Sequence, residues 1–366
     1  MKTSIVILNY NTADYLRRFL PPLLDSIKGL DAEVVVADNA STDGSVNLLR
    51  SDFPSVRRIE FDKNFGFTGG YNKALSMLEG YEYFVLLNSD IETPRGWLQP
   101  LLEWMEKTPS CGICAPKLHS YFDKDSFEYA GAAGGYIDRY GYPFCRGRIL
   151  KRVEKDKGQY DGPPARVFWA TGACLMVRSS LWKHLGGLDD RFFAHMEEID
   201  FCWRAALEGY ETCVVTDSVV YHLGGGTLPN NSPFKLRLNF RNNLLMLRNN
   251  LAQTLALQYY SKGISASKAA KKGLRRASRR IFTRKLLDGC AAAGYLLCGK
   301  LSYVKAVAAA HREFRHLRSP WPKAESIENR LKGSGAKPIE GIYNGYMPMR
   351  AMLISRKSPI FACSKS

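Results

Sequence analysis

The sequence predicts an α/β fold with a mostly parallel central sheet. Three observations carry that expectation. Short apolar runs alternate with helical patterns through about the first 115 residues. The runs are almost continuously apolar, as in strands covered on both faces. Three polar clusters, Asn9-Tyr10-Asn11, residues 38–44 and Asn88-Ser89-Asp90, each follow such a run. Ligands of parallel sheets bind beyond the carboxyl ends of the strands.

The elements follow in order. Residues 4–8 form an apolar run, and residues 12–27 repeat apolar side chains at helical spacing through Tyr15, Leu16, Phe19, Leu20, Leu23 and Leu24. Strands are expected at 33–37, 56–61, 83–87 and 113–115, with helices at 42–50, 69–78 and 97–105 between them. Residues 117–165 are rich in Gly, Tyr and charge, and read as an irregular insertion with short hairpins, a lid or acceptor surface. Regular pattern resumes at 166–177. A helix is expected from Glu197 to about Glu208, and a strand at 212–216. The chain reads as helical from about 232 to 316 and as an irregular tail over 319–366.

A length of 366 residues suits one large domain, or one domain with a helical appendage. No stretch reaches the ~18–20 apolar residues of a membrane span. The N-terminus enters a strand directly and is polar by Asn9, unlike a secretory signal. Nine scattered cysteines lack framework spacing and imply reduced thiols and a cytoplasmic setting. Cys111-Gly112-Ile113-Cys114 has redox or zinc spacing but no second pair, and reads as buried structural thiols.

The net charge is +17, and residues 261–318 hold fifteen Lys and Arg against two Asp and Glu. A partner for that charge therefore belongs to the C-terminal segment.

Several residues could carry chemistry. Asp38 ends the second run and precedes a helix start, where a carboxylate can meet a base or ribose; a capped strand-to-helix turn is the plain alternative. Asn64 through Asn72 holds Gly66, Gly69 and Gly70, which would let a ligand approach the backbone. A flexible loop is the plain alternative there, and the spacing is not the dinucleotide fingerprint. Asn88-Ser89-Asp90 puts an acid at a strand end, placed for a cation, though it is also ordinary turn chemistry. Glu197, Glu198 and Asp200 crowd a helix start behind a glycine-hinged aromatic loop, residues 186–193. Crowded carboxylates raise one another's pKa and can hold one poised as a base. His222 ends another strand-like run, ahead of Gly224, Gly225 and Gly226. A lone histidine there is structural unless it faces an acid such as Asp90.

These clusters, in this order over residues 3–250, closely resemble glycosyltransferase family 2, especially its rhamnosyltransferase-like bacterial members. The resemblance implies a GT-A fold, with a nucleotide-sugar-binding half over 1–115 continuous with an acceptor-binding and catalytic half over 116–250. It implies that Asn9, Asn11, Asp38, Asn39, Asn64, Gly69, Gly70, Asn88 and Ser89 line the donor site. Asn88-Ser89-Asp90 stands where the family usually has Asp-x-Asp. Asp90 and His222 would hold Mg²⁺ or Mn²⁺ on the donor diphosphate. Asn88 removes one charge from that motif, so metal is expected to bind mainly together with the nucleotide. Glu198 aligns with the general base of an inverting displacement, and Glu197 competes for that role. Trp203 and Arg204 would pack the helix and anchor the loop. The implied enzyme moves a sugar from a UDP- or dTDP-linked donor to a lipid-linked or polysaccharide hydroxyl in cell-envelope synthesis. A non-catalytic nucleotide-sugar-binding or scaffold protein is the alternative.

The basic stretch 268–285 lies beside an apolar one, 286–307. Together they suggest a helical hairpin on an anionic membrane, peripheral on the cytoplasmic face. Nucleic acid is the disfavoured partner, because few aromatics are present to stack bases.

Overall fold

The computed structural model describes residues 2–150, 152–224, 232–333 and 338–353. The alternating pattern folds as expected. Strands β1 (Thr3–Asn9), β2 (Ala32–Asp38), β3 (Arg57–Glu60) and β4 (Tyr83–Leu87) alternate with helices α1 (Ala13–Ser26), α2 (Ser45–Ser51) and α3 (Gly66–Ser76). The short β5 (Ile91–Glu92), helix α4 (Gln99–Lys107) and β6 (Cys111–Ser120) follow. The insertion supplies β7 (Gly135–Asp138), β8 (Pro143–Cys145), β9 (Arg148–Ile149), β10 (Arg152–Val153) and β11 (Ala165–Val167). Then come β12 (Cys174–Arg178), α5 (Ser179–Leu185), α6 (Glu197–Leu207) and β13 (Glu211–His222).

The main sheet runs β11-β13-β6-β12-β4-β1-β2-β3, with β5 paired to β13. β1, β2, β3 and β4 are mutually parallel, and β12 is antiparallel to its neighbours β4 and β6. Every residue of β4 is buried, which accounts for its unbroken Tyr-Phe-Val-Leu-Leu run. The sheet holds strands from both halves of the chain, so one core spans them. Two expected boundaries fall inside elements: residue 115 lies within β6, and residue 250 within the long helix α7 (Pro233–Tyr260).

Helices α8 (Ala266–Leu297) and α9 (Leu301–Leu317) pack against α7. Gly273 lets α8 approach the α7 backbone closely. A Cβ there would lie 2.6 Å from the Ala252 carbonyl oxygen and 2.7 Å from the Ala256 nitrogen. The helical C-terminal segment is therefore docked along α7. The tail corrects the expectation. It forms α10 (Ala324–Gly333), β14 (Ile342–Tyr343) and α11 (Met347–Leu353). β14 pairs in parallel with β7 and completes a second sheet, β10-β9-β8-β7-β14. Asp138 Oδ2 accepts from the Met347 N–H at 2.9 Å, which ties α11 to the insertion. Such tertiary pairing leaves no periodic mark in a two-residue strand. Among the described residues no helix is long and apolar enough to cross a membrane.

Candidate active site

Three strand ends meet at one edge. Asn9 pairs with Asp38 across β1 and β2, and Ile7 pairs with Leu87 across β1 and β4. Asn9 and Asp38 are both buried. Asn9 Nδ2 donates to Asp38 Oδ1 at 2.7 Å and to Ser41 Oγ at 3.0 Å. The Ser41 N–H donates to Asp38 Oδ2 at 2.9 Å. Thr12 Oγ1 hydrogen-bonds to Ser89 Oγ at 2.9 Å and also to Asn9 Oδ1, tying the first cluster to the third. Asn11, at φ +54°, accepts from the Thr42 N–H at 2.7 Å. Asn9, Asn11, Asp38 and Ser89 thus share one hydrogen-bonded rim, on which Tyr10 is exposed.

Asn39 and Asn64 turn to a different task. Asn39 Nδ2 donates to Asn64 Oδ1 at 2.9 Å and to the Gly66 carbonyl at 3.0 Å, and its Oδ1 accepts from the Phe65 N–H. Together they brace the entry to α3. That helix begins at Gly66, so Gly69 and Gly70 lie within a helix and not in a flexible loop. A Cβ at Gly70 would stand 2.7 Å from the Leu8 methyls. Gly70 is buried helix-to-strand packing, and the expected ligand approach at that residue is corrected. Gly69 is half-buried, with Asp190 Oδ1 3.8 Å from its Cβ position.

The third cluster meets the histidine through strand pairing. β5 lies antiparallel to the end of β13, which sets His222 opposite Ile91. Asp90 Oδ1 therefore stands 3.2 Å from His222 Nε2. The other ring nitrogen, Nδ1, faces Glu128 Oε1 at 3.4 Å. All three residues are buried. Burial opposes a charge on His222, but the carboxylates of Asp90 and Glu128 outweigh it and push its pKa up to about 10. Among the described residues no three acidic, Cys or His side chains converge on one cation position. The donor set is one carboxylate and one imidazole on neighbouring chain segments. Asp90 and His222 would be the residues to hold a divalent ion there, as a carboxylate and an imidazole, once the ring has given up the proton it holds against Asp90. A carboxylate behind the distal nitrogen is the usual outer partner of a ligating histidine. Glu128 escapes sequence reasoning, since it sits in the irregular insertion with no periodicity around it. Gly225 and Gly226 lie outside the described residues.

The acidic cluster opens α6. Its approach is contorted: Phe193, His195 and Met196 all have φ between +64° and +70°. Asn242 of α7 holds this loop. Its Nδ2 donates to the carbonyls of Phe192, Ala194 and His195 at 2.9, 2.8 and 2.7 Å. Arg241 Nη2 donates to the Phe192 carbonyl at 2.7 Å. Arg204 anchors the preceding loop through the Leu185 and Gly187 carbonyls, and Trp203 is buried with Nε1 on Thr254 Oγ1. Asp200 is spent on structure, held by Arg204, Asn249 and Asn250.

Glu197 and Glu198 differ in setting. Glu197 is buried, and burial together with the neighbouring Glu198 carboxylate raises its pKa well above the usual range. Glu198 is half-buried, and desolvation pushes it up to about 7. Each has an Oε2 atom with no hydrogen-bond partner. Glu198 faces the 170–173 loop, its Cβ lying 3.6 Å from where a Gly172 Cβ would stand. The next residue, Ala173, accepts at 2.9 Å from the Asn88 N–H. The 170–173 loop therefore spans from Glu198 to the Asn88-Ser89-Asp90 cluster. His195 is held neutral, since burial and then Lys235 lower its pKa to about 4. The cysteines of the 111–114 pair are buried free thiols on β6.

Residues 4–184 match the family model for glycosyl transferase family 2. The chain belongs to glycosyl transferase family 2. Its chemistry is glycosyl transfer, and its fold is of the GT-A type. A curated relative, the N-acetylglucosaminyl-diphospho-decaprenol L-rhamnosyltransferase of Mycobacterium tuberculosis, is 26% identical over 235 residues, covering 60% of this chain and 75% of the relative. A low-salt glycan biosynthesis hexosyltransferase of Haloferax volcanii is 26% identical over 258 residues, covering 66% of this chain and 74% of the relative. A crystal structure of GalNAc-T7 with UDP, GalNAc and Mn²⁺ superposes with a TM-score of 0.52 at 16% identity, covering 68% of this chain and 47% of that one. The family match ends before Glu197, so the acidic cluster and its α7 support lie beyond it.

Proposed function

We propose that this chain is an inverting, metal-dependent glycosyltransferase of cell-envelope glycan synthesis. It takes a UDP- or dTDP-linked sugar and transfers it to a hydroxyl of a lipid-linked or polysaccharide acceptor. The similarity to a rhamnosyltransferase that acts on a diphospho-decaprenol substrate supports that acceptor class. The division of labour is a donor half over 1–115 and an acceptor half over 116–250, sharing one sheet. Asp38, on the rim with Asn9, Asn11 and Ser89, receives the base or ribose.

The observation that carries the reading is the half-buried Glu198 carboxylate, unpartnered at Oε2 and joined through the 170–173 loop to the Asp90 cluster. Glu198 accepts the proton of the acceptor hydroxyl as that oxygen bonds the anomeric carbon. The carbon–oxygen bond to the diphosphate breaks on the opposite face, which inverts the centre. Asp90 and His222 would hold Mg²⁺ or Mn²⁺, which would neutralise the leaving diphosphate. Burial and the Glu198 carboxylate raise the Glu197 pKa well above the usual range, so it fits the base role less well. Replacing Glu198 by Gln should cut turnover by roughly 10²- to 10⁴-fold, with donor binding retained. Near-normal turnover would reject the assignment, and retained binding without any wild-type turnover would favour a non-catalytic donor-binding protein.

The α8–α9 hairpin is proposed to rest on an anionic membrane from the cytoplasmic side. Leu286, Leu296, Leu297 and Leu301 are exposed there, Leu297 at 90%, beside the basic face of α8. Apolar side chains flanked by cations are what an interfacial helix presents.

A further inference from the structure

The helical layer contains a cavity of about 160 Å³ between α7, α8, α9 and the segment after α9. Arg248, Ser278, Lys285, Phe314, Arg318 and Trp321 contribute to its wall. That volume is roughly ten times the ~10–15 Å³ a single water needs. Three of these six residues are cations, and among the described residues none of the three pairs with a carboxylate. Nearby acids are already engaged. Asp288 binds Arg284 Nε at 2.7 Å and His311 Nε2 at 3.0 Å. Glu313 pairs with Arg237 and Arg241.

The cations are also built in. Arg248 is buried, its guanidinium stacked 3.5 Å from the Trp321 ring centroid and its Nε donating to the Ser319 carbonyl at 3.0 Å. Lys285 and Arg318 both lie against the Phe314 ring, at 5.1 and 5.9 Å. Burial and then Arg318 depress the Arg248 pKa to about 10. Lys285 is likewise lowered by burial and then by Arg318, Arg315 and Arg248, which Asp288 only partly offsets. Like charges gathered in a partly buried cavity cost stability unless an anion joins them.

We propose that this cavity is a binding site for a phosphate or diphosphate group. Arg248 forms the fixed floor of the site, and Lys285 and Arg318 close on the anion from the exposed side. The group can be the headgroup of an anionic lipid or a free phosphate. The exposed leucines on the same hairpin favour the lipid. The site does not depend on the membrane reading, because a soluble diphosphate would also occupy it.

The test uses the full-length chain and the double substitution Lys285→Gln with Arg318→Gln, neither residue belonging to the candidate active site. Inorganic pyrophosphate is titrated calorimetrically into both proteins. Vesicles of phosphatidylcholine with phosphatidic acid are floated in parallel, with and without competing pyrophosphate. Removing two cations should weaken pyrophosphate binding roughly 10- to 30-fold. It should also raise the thermal midpoint of the unliganded protein, because repulsion is relieved. Pyrophosphate that displaces the wild type from vesicles identifies a lipid headgroup as the occupant. Pyrophosphate binding without displacement identifies a free phosphate. Equal pyrophosphate affinity in both proteins, or a lower midpoint in the variant, overturns the proposal. Absent flotation with intact pyrophosphate binding overturns only the membrane reading.

Discussion

Asn242 offers the sharpest test of how the acidic cluster is positioned. Its amide nitrogen serves three carbonyls in the turn before α6. In Asn242→Ala the Phe192 carbonyl keeps Arg241 Nη2 at 2.7 Å. The Ala194 and His195 carbonyls lose their bond to the amide. At about 1–2 kcal/mol for each acceptor left unsatisfied, the variant should lose about 2–4 kcal/mol. The same turn holds three non-glycine residues at positive φ, which persist only while neighbours over-determine them. Released, the turn would relax and carry Glu198 away from its working position. A displacement near 1 Å costs on the order of 10²-fold in rate. Urea unfolding measures the first quantity, with stability read from midpoint and slope. Steady-state kinetics measures the second. Donor affinity should persist, since Asp38 and Asp90 hang on β2 and β4. Asn242→Asp should be worse than Ala, because it turns an acceptor toward acceptors. A stability change below about 0.5 kcal/mol, well under the loss expected from orphaned carbonyls, with unaltered turnover would show that Asn242 does not hold the turn in place.

The remaining predictions concern titration and metal. Glu198, with its pKa near 7 and flanked by Glu197 and the neutral His195, must be ionised to accept a proton. Thus kcat/KM should rise with pH through about 7, and Glu198→Gln should lack that limb; an unchanged limb would assign it to another group. Glu197 is raised in the folded state, so its contribution to stability is complete below its unfolded value and falls as pH rises toward the folded one. Glu197→Gln, an isostere of the protonated acid, should therefore raise the urea midpoint more at pH 8 than at pH 5, and should keep turnover if Glu198 is the base. Glu128→Gln should weaken Mn²⁺ affinity about 10- to 100-fold, read by electron paramagnetic resonance with UDP present, as for other outer partners of ligating histidines. Unchanged affinity would show that Glu128 does not orient His222.

The strands were legible because their composition is set by burial on both faces. β4 was readable to the residue, since its apolar run starts and stops with the sheet. Helix α3 was misplaced by three residues. Its first residue, Gly66, has φ +73°, and a Cβ there would meet the Phe193 ring at 2.5 Å. The glycine serves a long-range contact, so local pattern could not identify it as a helix start. The tail failed for a related reason. β14 holds its place by pairing with β7, some two hundred residues earlier in the chain. Asp90, Glu198 and His222 stood out as unusual polar residues at element ends. Glu128 and Asn242 did not, because one lies in an aperiodic insertion and the other on a helix whose polar residues look like a solvated face. Asn242 is in fact fully buried.

Through the buried Asn242, support of the acidic cluster extends beyond the α/β body into α7. A basic helical segment after a compact α/β body invites reading as an appendage. Yet α7 supplies Arg241 and Asn242 to the turn at 192–195, Asn249 to Asp189, and Asn250 to Asp200. Arg191, in the same turn, donates to the Leu317 carbonyl and to Ser319 Oγ just beyond α9. The loop that presents Glu198 is thus clamped by residues up to Ser319. Backbone strain of about 1–3 kcal/mol at each left-handed residue has to be met by such contacts. The sheet edge can place Asp38 and Asp90 unaided, because strand register fixes them. It cannot place Glu198, which follows a turn that no strand supports. On the proposed roles, donor binding and base positioning therefore draw on different parts of the chain. Disruption of the α7 contacts should impair turnover while leaving nucleotide affinity nearly intact.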